Sequence, residues 1–168
     1  SLILTWNYKL IRGIMMEAYQ YKDTKGVIWT LSINIGHYLQ IKTQLGIDIS
    51  ASFSTEDSWI SQIAANDDYT LLLGMLDILT ATERNSRELT LNQMYEGIDG
   101  DVVAEASTAM IEAIVLFLPA QKKEALRLIV ETVNLGMDHA VEMLMEEKEV
   151  LLKAIPSQVE KAMRDLKN

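Results

Sequence analysis

The chain contains no cysteine, and only two histidines and two prolines in 168 residues. Disulfides and thiol chemistry are excluded, and too few soft ligands remain for a zinc or iron–sulfur site, so neither a metal nor a cofactor is expected. Glycine is also scarce, at eight. No GxxxxGK[ST] or GxGxxG follows a strand pattern, and Gly97 and Gly100 read as a helix stop and a turn rather than a phosphate cradle. Long apolar runs are missing as well. A membrane span needs roughly 18–20 uninterrupted apolar residues, and the nearest candidate, 102–118, is broken by Glu105 and Glu112 and reads as a buried core helix. Residues 1–14 lack the basic, apolar and small-residue sequence of a secretory signal, which leads to an expectation of cytoplasmic residence.

What the chain has in quantity is acid. Its net charge of -9 is unevenly spread: residues 45–121 hold thirteen acids against only Arg84 and Arg87. Such a field repels phosphate backbones, and no basic stripe interleaved with aromatics offsets it, so nucleic-acid binding is not expected. The acidic belt reads as a solvated face that keeps the protein dispersed, with a basic partner as the other reading. With 49% hydrophobic and 23% charged residues, the composition is that of one globular domain.

The expected fold is mainly α, a helical domain with a small N-terminal β-hairpin and a long C-terminal helix. Residues 1–15 read as an N-terminal extension. Arg12-Gly13-Ile14-Met15-Met16 is what a purine-rich ribosome-binding sequence followed by two start codons gives when translated, which would put the start at Met15 or Met16. Equally, Leu2, Ile3, Leu4, Trp6 and Tyr8 are good strand formers. Tyr19 and Tyr21, the turn Asp23-Thr24-Lys25-Gly26 and the β-branched run 27–33 predict a hairpin.

Helices are expected from Asn34 to a stop at Gly46, from Ser54 to Ala65 with Trp59, Ile60 and Ile63 inward, and from Tyr69 to Thr82, with a charged loop over 83–88. Thr90 and Gln93 form a capping box for a short helix ending at Gly97, and Asp101 is expected to cap a helix over 102–118. Domain 16–119 then gives way, after Pro119, to 120–168. Here a helix to about Ala154 is expected, broken by Pro156 before a short terminal helix capped by Ser157 and Glu160.

The clearest periodicity lies in that long helix. Leu126, Val130, Val133, Met137, Ala140, Leu144, Leu151 and Ala154 follow the alternating spacing of a heptad, with Glu147 in the seam. An apolar stripe must be buried against its own domain or another chain. Leu126, Val130, Val133, Met137, Leu144 and Leu151 are therefore the candidate partner-binding residues, and a homo-oligomer is expected. Met137, Met143 and Met145 read first as core or coiled-coil packing, and otherwise as an adaptable binding surface.

Groups for catalysis do not assemble. His37 and His139 have no HExxH, Cys or Ser/His/Asp context, and the acidic pairs Asp67-Asp68 and Asp99-x-Asp101 miss the EF-hand spacing and read as helix caps. No catalytic residue is assigned, and an enzyme is not expected.

Asp23-x-x-Gly26, then Trp29-Thr30-Leu31-Ser32-Ile33-Asn34-Ile35-Gly36, then Ile41-Lys42-x-x-Leu45-Gly46-Ile47-Asp48, resembles small proteins of tailed-phage and prophage tail operons. So do Leu89-Thr90-x-x-Gln93-Met94-Tyr95-x-x-Ile98-Asp99-Gly100-Asp101, the small-residue run 104–113 and Phe117-Leu118-Pro119. The resemblance is to tail assembly chaperones and covers about residues 21–119. It implies a non-enzymatic protein that coats the long, aggregation-prone tape-measure protein and recruits tail-tube subunits in the host cytoplasm. A structural tail component, such as a connector or completion protein, is the alternative. A third is a small regulatory protein binding a basic host factor.

Overall fold

Two short antiparallel strand pairs open the described part of the chain. The computed structural model describes residues 8–11, 14–51, 58–65 and 68–165. Strand β1 (Tyr8–Ile11) pairs with β2 (Ile14–Glu17), with Tyr8 opposite Glu17. Strand β3 (Gln20–Lys22) pairs with β4 (Ile28–Thr30), with Tyr21 opposite Trp29. The second hairpin is the one expected over 18–33. The first is additional, and within the expected extension residues 8–11 form a strand.

The turn between β3 and β4 is organised by a buried carboxylate. One oxygen of Asp23 accepts from the backbone N–H groups of Lys25 and Val27, both at 2.9 Å, and the other from Trp29 Nε1 at 3.0 Å. Gly26 closes the turn at φ +86°, where a side chain would be strained. The turn is clipped to the far side of the unit by Thr24 N–H donating to the Gly97 carbonyl at 2.9 Å.

Helix α1 (Ile35–Gln40) starts at Asn34, whose side chain accepts from His37 N–H, while His37 Nδ1 accepts from Asn34 N–H. That reciprocal cap is the role of His37. The expected single helix changes at Ile41 into a π-helical turn (Ile41–Leu45) that ends at Gly46, φ +71°. Helix α2 (Ser58–Ala64) buries Trp59, Ile60 and Ile63 as expected; the expected Ser54 start lies outside the described residues.

Helix α3 (Tyr69–Ser86) is capped by Asp68 and runs a full turn beyond the expected end at Thr82. The reason is non-local. Glu83 and Arg87 pair at 2.9 Å, Glu83 accepts from Thr30 N–H at 3.4 Å, and Arg87 donates to the Ile28 carbonyl at 3.3 Å while lying 5.5 Å over the Trp29 ring. What looked like a charged loop is a helical latch on the outer edge of β4.

Helix α4 (Leu91–Tyr95) has the expected Thr90–Gln93 capping box. Helix α5 (Gly100–Phe117) begins two residues before its expected start: Asp99 caps it, accepting from Val102 N–H at 2.9 Å, and Asp101 sits in its first turn. Its small residues let α2 approach closely enough for Ser107 Oγ to donate to the Ile63 carbonyl.

Helix α6 (Ala120–Asp165) runs uninterrupted through Pro156, so the expected break and separate terminal helix are not found. Proline in a helix interior removes one bond and costs about 3 kcal/mol, a penalty eased where the freed carbonyl meets water, and Pro156 is exposed. The compact units are Ser1–Val133 and Asn134–Asn168. The division falls inside α6 rather than at Pro119, because Leu126 is fully buried in the first unit's core with Ile129 and Val130 packed against it. The protein is thus mainly α, with small N-terminal hairpins and a long C-terminal helix.

Removing three hydrogen bonds from a buried turn is costly, so Asp23→Ala should lower the unfolding free energy by about 3 kcal/mol. Asp23→Asn, which keeps one acceptor oxygen, should lose about half as much. Urea denaturation followed by tryptophan fluorescence reads both.

Candidate partner-binding surface

Residues 134–165 are rich in Leu, Met, Ala, Glu and Lys, the strongest helix formers, and Glu149 and Lys153 add an i,i+4 pair at 3.0 Å. Helix is therefore favoured without tertiary packing. Every described side chain of 134–164 is exposed except Ala154, which is partly buried. Among the described residues, twelve of the seventeen exposed large apolar side chains lie between Leu135 and Met163.

The expected seam divides accordingly. Leu126 is fully buried and Val130 packs on the core, so both are occupied within the first unit, and Val133 is partly buried at its end. Met137, Leu144 and Leu151 are 41%, 65% and 60% exposed. At 3.6 residues per turn, Met137, Val141, Leu144, Leu151, Leu152, Ile155 and Val159 fall within an arc of about 100°. Val141, Leu152, Ile155 and Val159 were missed because a strict heptad drifts off a straight helix, whereas a 3.6-residue count finds them. Met143, Met145 and Met163 are exposed too, so these methionines do not fill a core.

Other concave or titratable features lie in the first unit. An open groove of about 440 Å³ is lined by Leu31, Ser32, Ile33, Ala113, Leu116 and Phe117 among others. A second hollow, about 250 Å³, lies among Tyr69, Leu73, Tyr95, Ile98 and Val103, beside Asp99, whose carboxylate is engaged as the α5 cap. Burial, then the nearby Asp77 charge, raises the Tyr95 pKa, so its hydroxyl stays neutral. The Tyr21 hydroxyl is buried, and desolvation followed by Asp23 and Glu83 pushes it up as well. Neither lining sets a nucleophile against a base among the described residues.

Asp48 collects the densest polar cluster. It accepts from Ser50 Oγ at 2.8 Å, Lys42 Nζ at 3.0 Å, Ser50 N–H at 3.0 Å and the Tyr38 hydroxyl at 3.1 Å. Desolvation acts to raise its pKa, but the bonds from Ser50, Lys42 and Tyr38 outweigh it and hold the carboxyl well below the usual range. A carboxylate so stabilised is a poor general base. Its part is structural, closing the loop after Gly46. His139 is exposed on α6, and no cluster of three metal-ligating side chains occurs among the described residues. Nor is any described helix long and apolar enough to cross a membrane.

Comparison with protein-family models, curated proteins and solved structures finds no match to this chain.

Two measurements check this assignment of roles. Leu126→Ala should cost about 3 kcal/mol, as cavity-forming core truncations do, while Leu144→Ala should stay within about 0.5 kcal/mol; chemical denaturation separates them. Because the folded Asp48 pKa lies below its unfolded value, its contribution is present above the ordinary carboxylate pKa of about 3.9 and is lost as pH falls through the folded value. Asp48→Asn should be less stable at neutral pH by about 1–2 kcal/mol and show a flatter loss of stability below about pH 4.

Proposed function

We propose that the chain is a non-enzymatic assembly chaperone of the tailed-phage tail type, acting in the host cytoplasm on apolar helical segments of a client such as the tape-measure protein. The observation that carries this reading is the concentration of exposed apolar side chains along 134–163 in a protein whose first unit buries its own core. Burying seven such side chains is worth on the order of 10 kcal/mol, enough to offset much of the cost of association. Homo-oligomerisation would fall to exposed apolar groups of the first unit, such as Ile35 and Leu39 on α1.

The alternative, a structural tail component whose hairpin extends a neighbour's sheet, is less well supported. On the outer edge of β4, Thr30 N–H and the Ile28 carbonyl are already engaged by Glu83 and Arg87. An added strand would have to displace both.

Suppression of client aggregation tests the proposal. The full chain, mixed with a tape-measure segment, should keep it in solution as read by light scattering, and Met137→Asp with Leu144→Asp should remove that effect while leaving circular dichroism unchanged. Undiminished activity of the double variant would refute the assignment of the surface. Recovery of the protein in purified virions would favour the structural alternative.

A further inference from the structure

Resting on that reading of the stripe, we infer the chemistry of its occupant: an amphipathic helix of another protein, basic along one flank and carrying a carboxylate or amide at the middle of its apolar seam. On one side, the charged residues bordering the stripe are all acids. Asp138, Glu142, Glu149 and Glu160 fall within an arc of about 40°, separated from the stripe by Met145 and Met163, and of these Glu149 is paired, with Lys153 on its own helix. The opposite border is mixed, with Glu147 and Lys161. Lys148 lies in the stripe itself, exposed among apolar neighbours. A partner helix laid along the stripe brings Lys or Arg against the acidic flank, and a polar acceptor at mid-seam satisfies Lys148 and sets the register, as single polar seam residues do in paired helices.

The same residues argue against a second copy. Met137, Val141, Leu144, Lys148, Leu152, Ile155 and Val159 are spaced 4, 3, 4, 4, 3 and 4 apart, a series symmetric about Lys148. Self-pairing that matches apolar with apolar is either parallel in register or antiparallel about residue 148, and both oppose Lys148 to itself. The antiparallel arrangement also sets the acidic flank against its own copy. Seven acids against four bases in 134–165 add a general repulsion.

Fluorescent synthetic helices test this on the full chain: one with a leucine seam, a lysine flank and a central glutamate, and two controls with a glutamate flank or a central lysine. The first should bind about tenfold more tightly than either control at low salt, an advantage that shrinks as salt rises. Asp138→Lys with Glu142→Lys and Glu160→Lys should reverse the flank preference without loss of helix by circular dichroism. Equal binding of all three peptides overturns the inference while leaving an apolar-client surface in place. Binding of none overturns both. A dimer in sedimentation that Leu144→Asp dissociates makes the second copy the occupant and overturns the inference.

Discussion

A carboxylate removed from water must collect donors, and Asp23 collects three within one turn of chain. Much of the first unit follows from that requirement. Holding Trp29 by its indole N–H orients the ring, and the ring's face then receives Arg87, whose guanidinium also reaches the β4 backbone. The last turn of α3 is thereby tied to a hairpin far from it in sequence. On the other side, a Cβ at Gly97 would stand 2.9 Å from Asp23 Oδ2, so the connection between α4 and α5 can pass only as glycine. One buried charge positions a strand, a helix end and a helix connection.

The rest of the first unit is closed by comparable local satisfaction. Asp48 gathers Tyr38, Lys42 and Ser50 behind the π-helical turn, and Lys122 donates from the start of α6 to the Ser50 carbonyl. Arg127 on α6 pairs with Glu112 on α5 at 3.2 Å, beside the burial of Leu126. These contacts anchor the opening turns of α6. Residues 134–165 hold helical form on a different basis, through intrinsic propensity and i,i+4 pairing, which do not require the apolar stripe to be covered. The stripe is therefore available to a partner at no cost to the first unit's fold.

Which features were legible in the sequence follows from the range of the forces involved. The Thr90–Gln93 box, the Asp23–Gly26 turn and the inward face of α2 depend on residues within a turn of each other, and each matches its expectation. The start of α5 depends on equally local chemistry, yet Asp99 and Asp101 are both competent caps, and composition alone does not rank them. The last turn of α3 depends on Glu83 and Arg87 meeting β4, more than fifty residues away in sequence, so a local reading sees a charged loop. Pro156 was expected to end α6, but its penalty is opposed by strong helix formers on both sides. The seam itself was visible as a pattern. Its division into a buried part ending near Val130 and an exposed part from Met137 was not, because periodicity records that a face is apolar and says nothing of what lies opposite.

The methionines separate along the same line, which bears on how the exposed surface works. Met16, Met75, Met94 and Met110 are buried in the first unit, while Met137, Met143, Met145 and Met163 are all exposed on α6. An unbranched thioether gains less than leucine from a fixed, well-shaped cavity, and its advantage lies in adapting to irregular ones. Four of them on an uncovered helix, beside leucine and β-branched residues, make a surface able to repack against apolar helices of differing shape. For the proposed helical partner, adaptable side chains would tolerate variation in its seam, while fixed charge at the border and at Lys148 would restrict its orientation and register. Under the proposed chaperone reading, that combination is what engaging successive stretches of a long helical client requires: loose complementarity where the contact is greasy, and discrimination carried by a few ions that remain in water until the partner arrives.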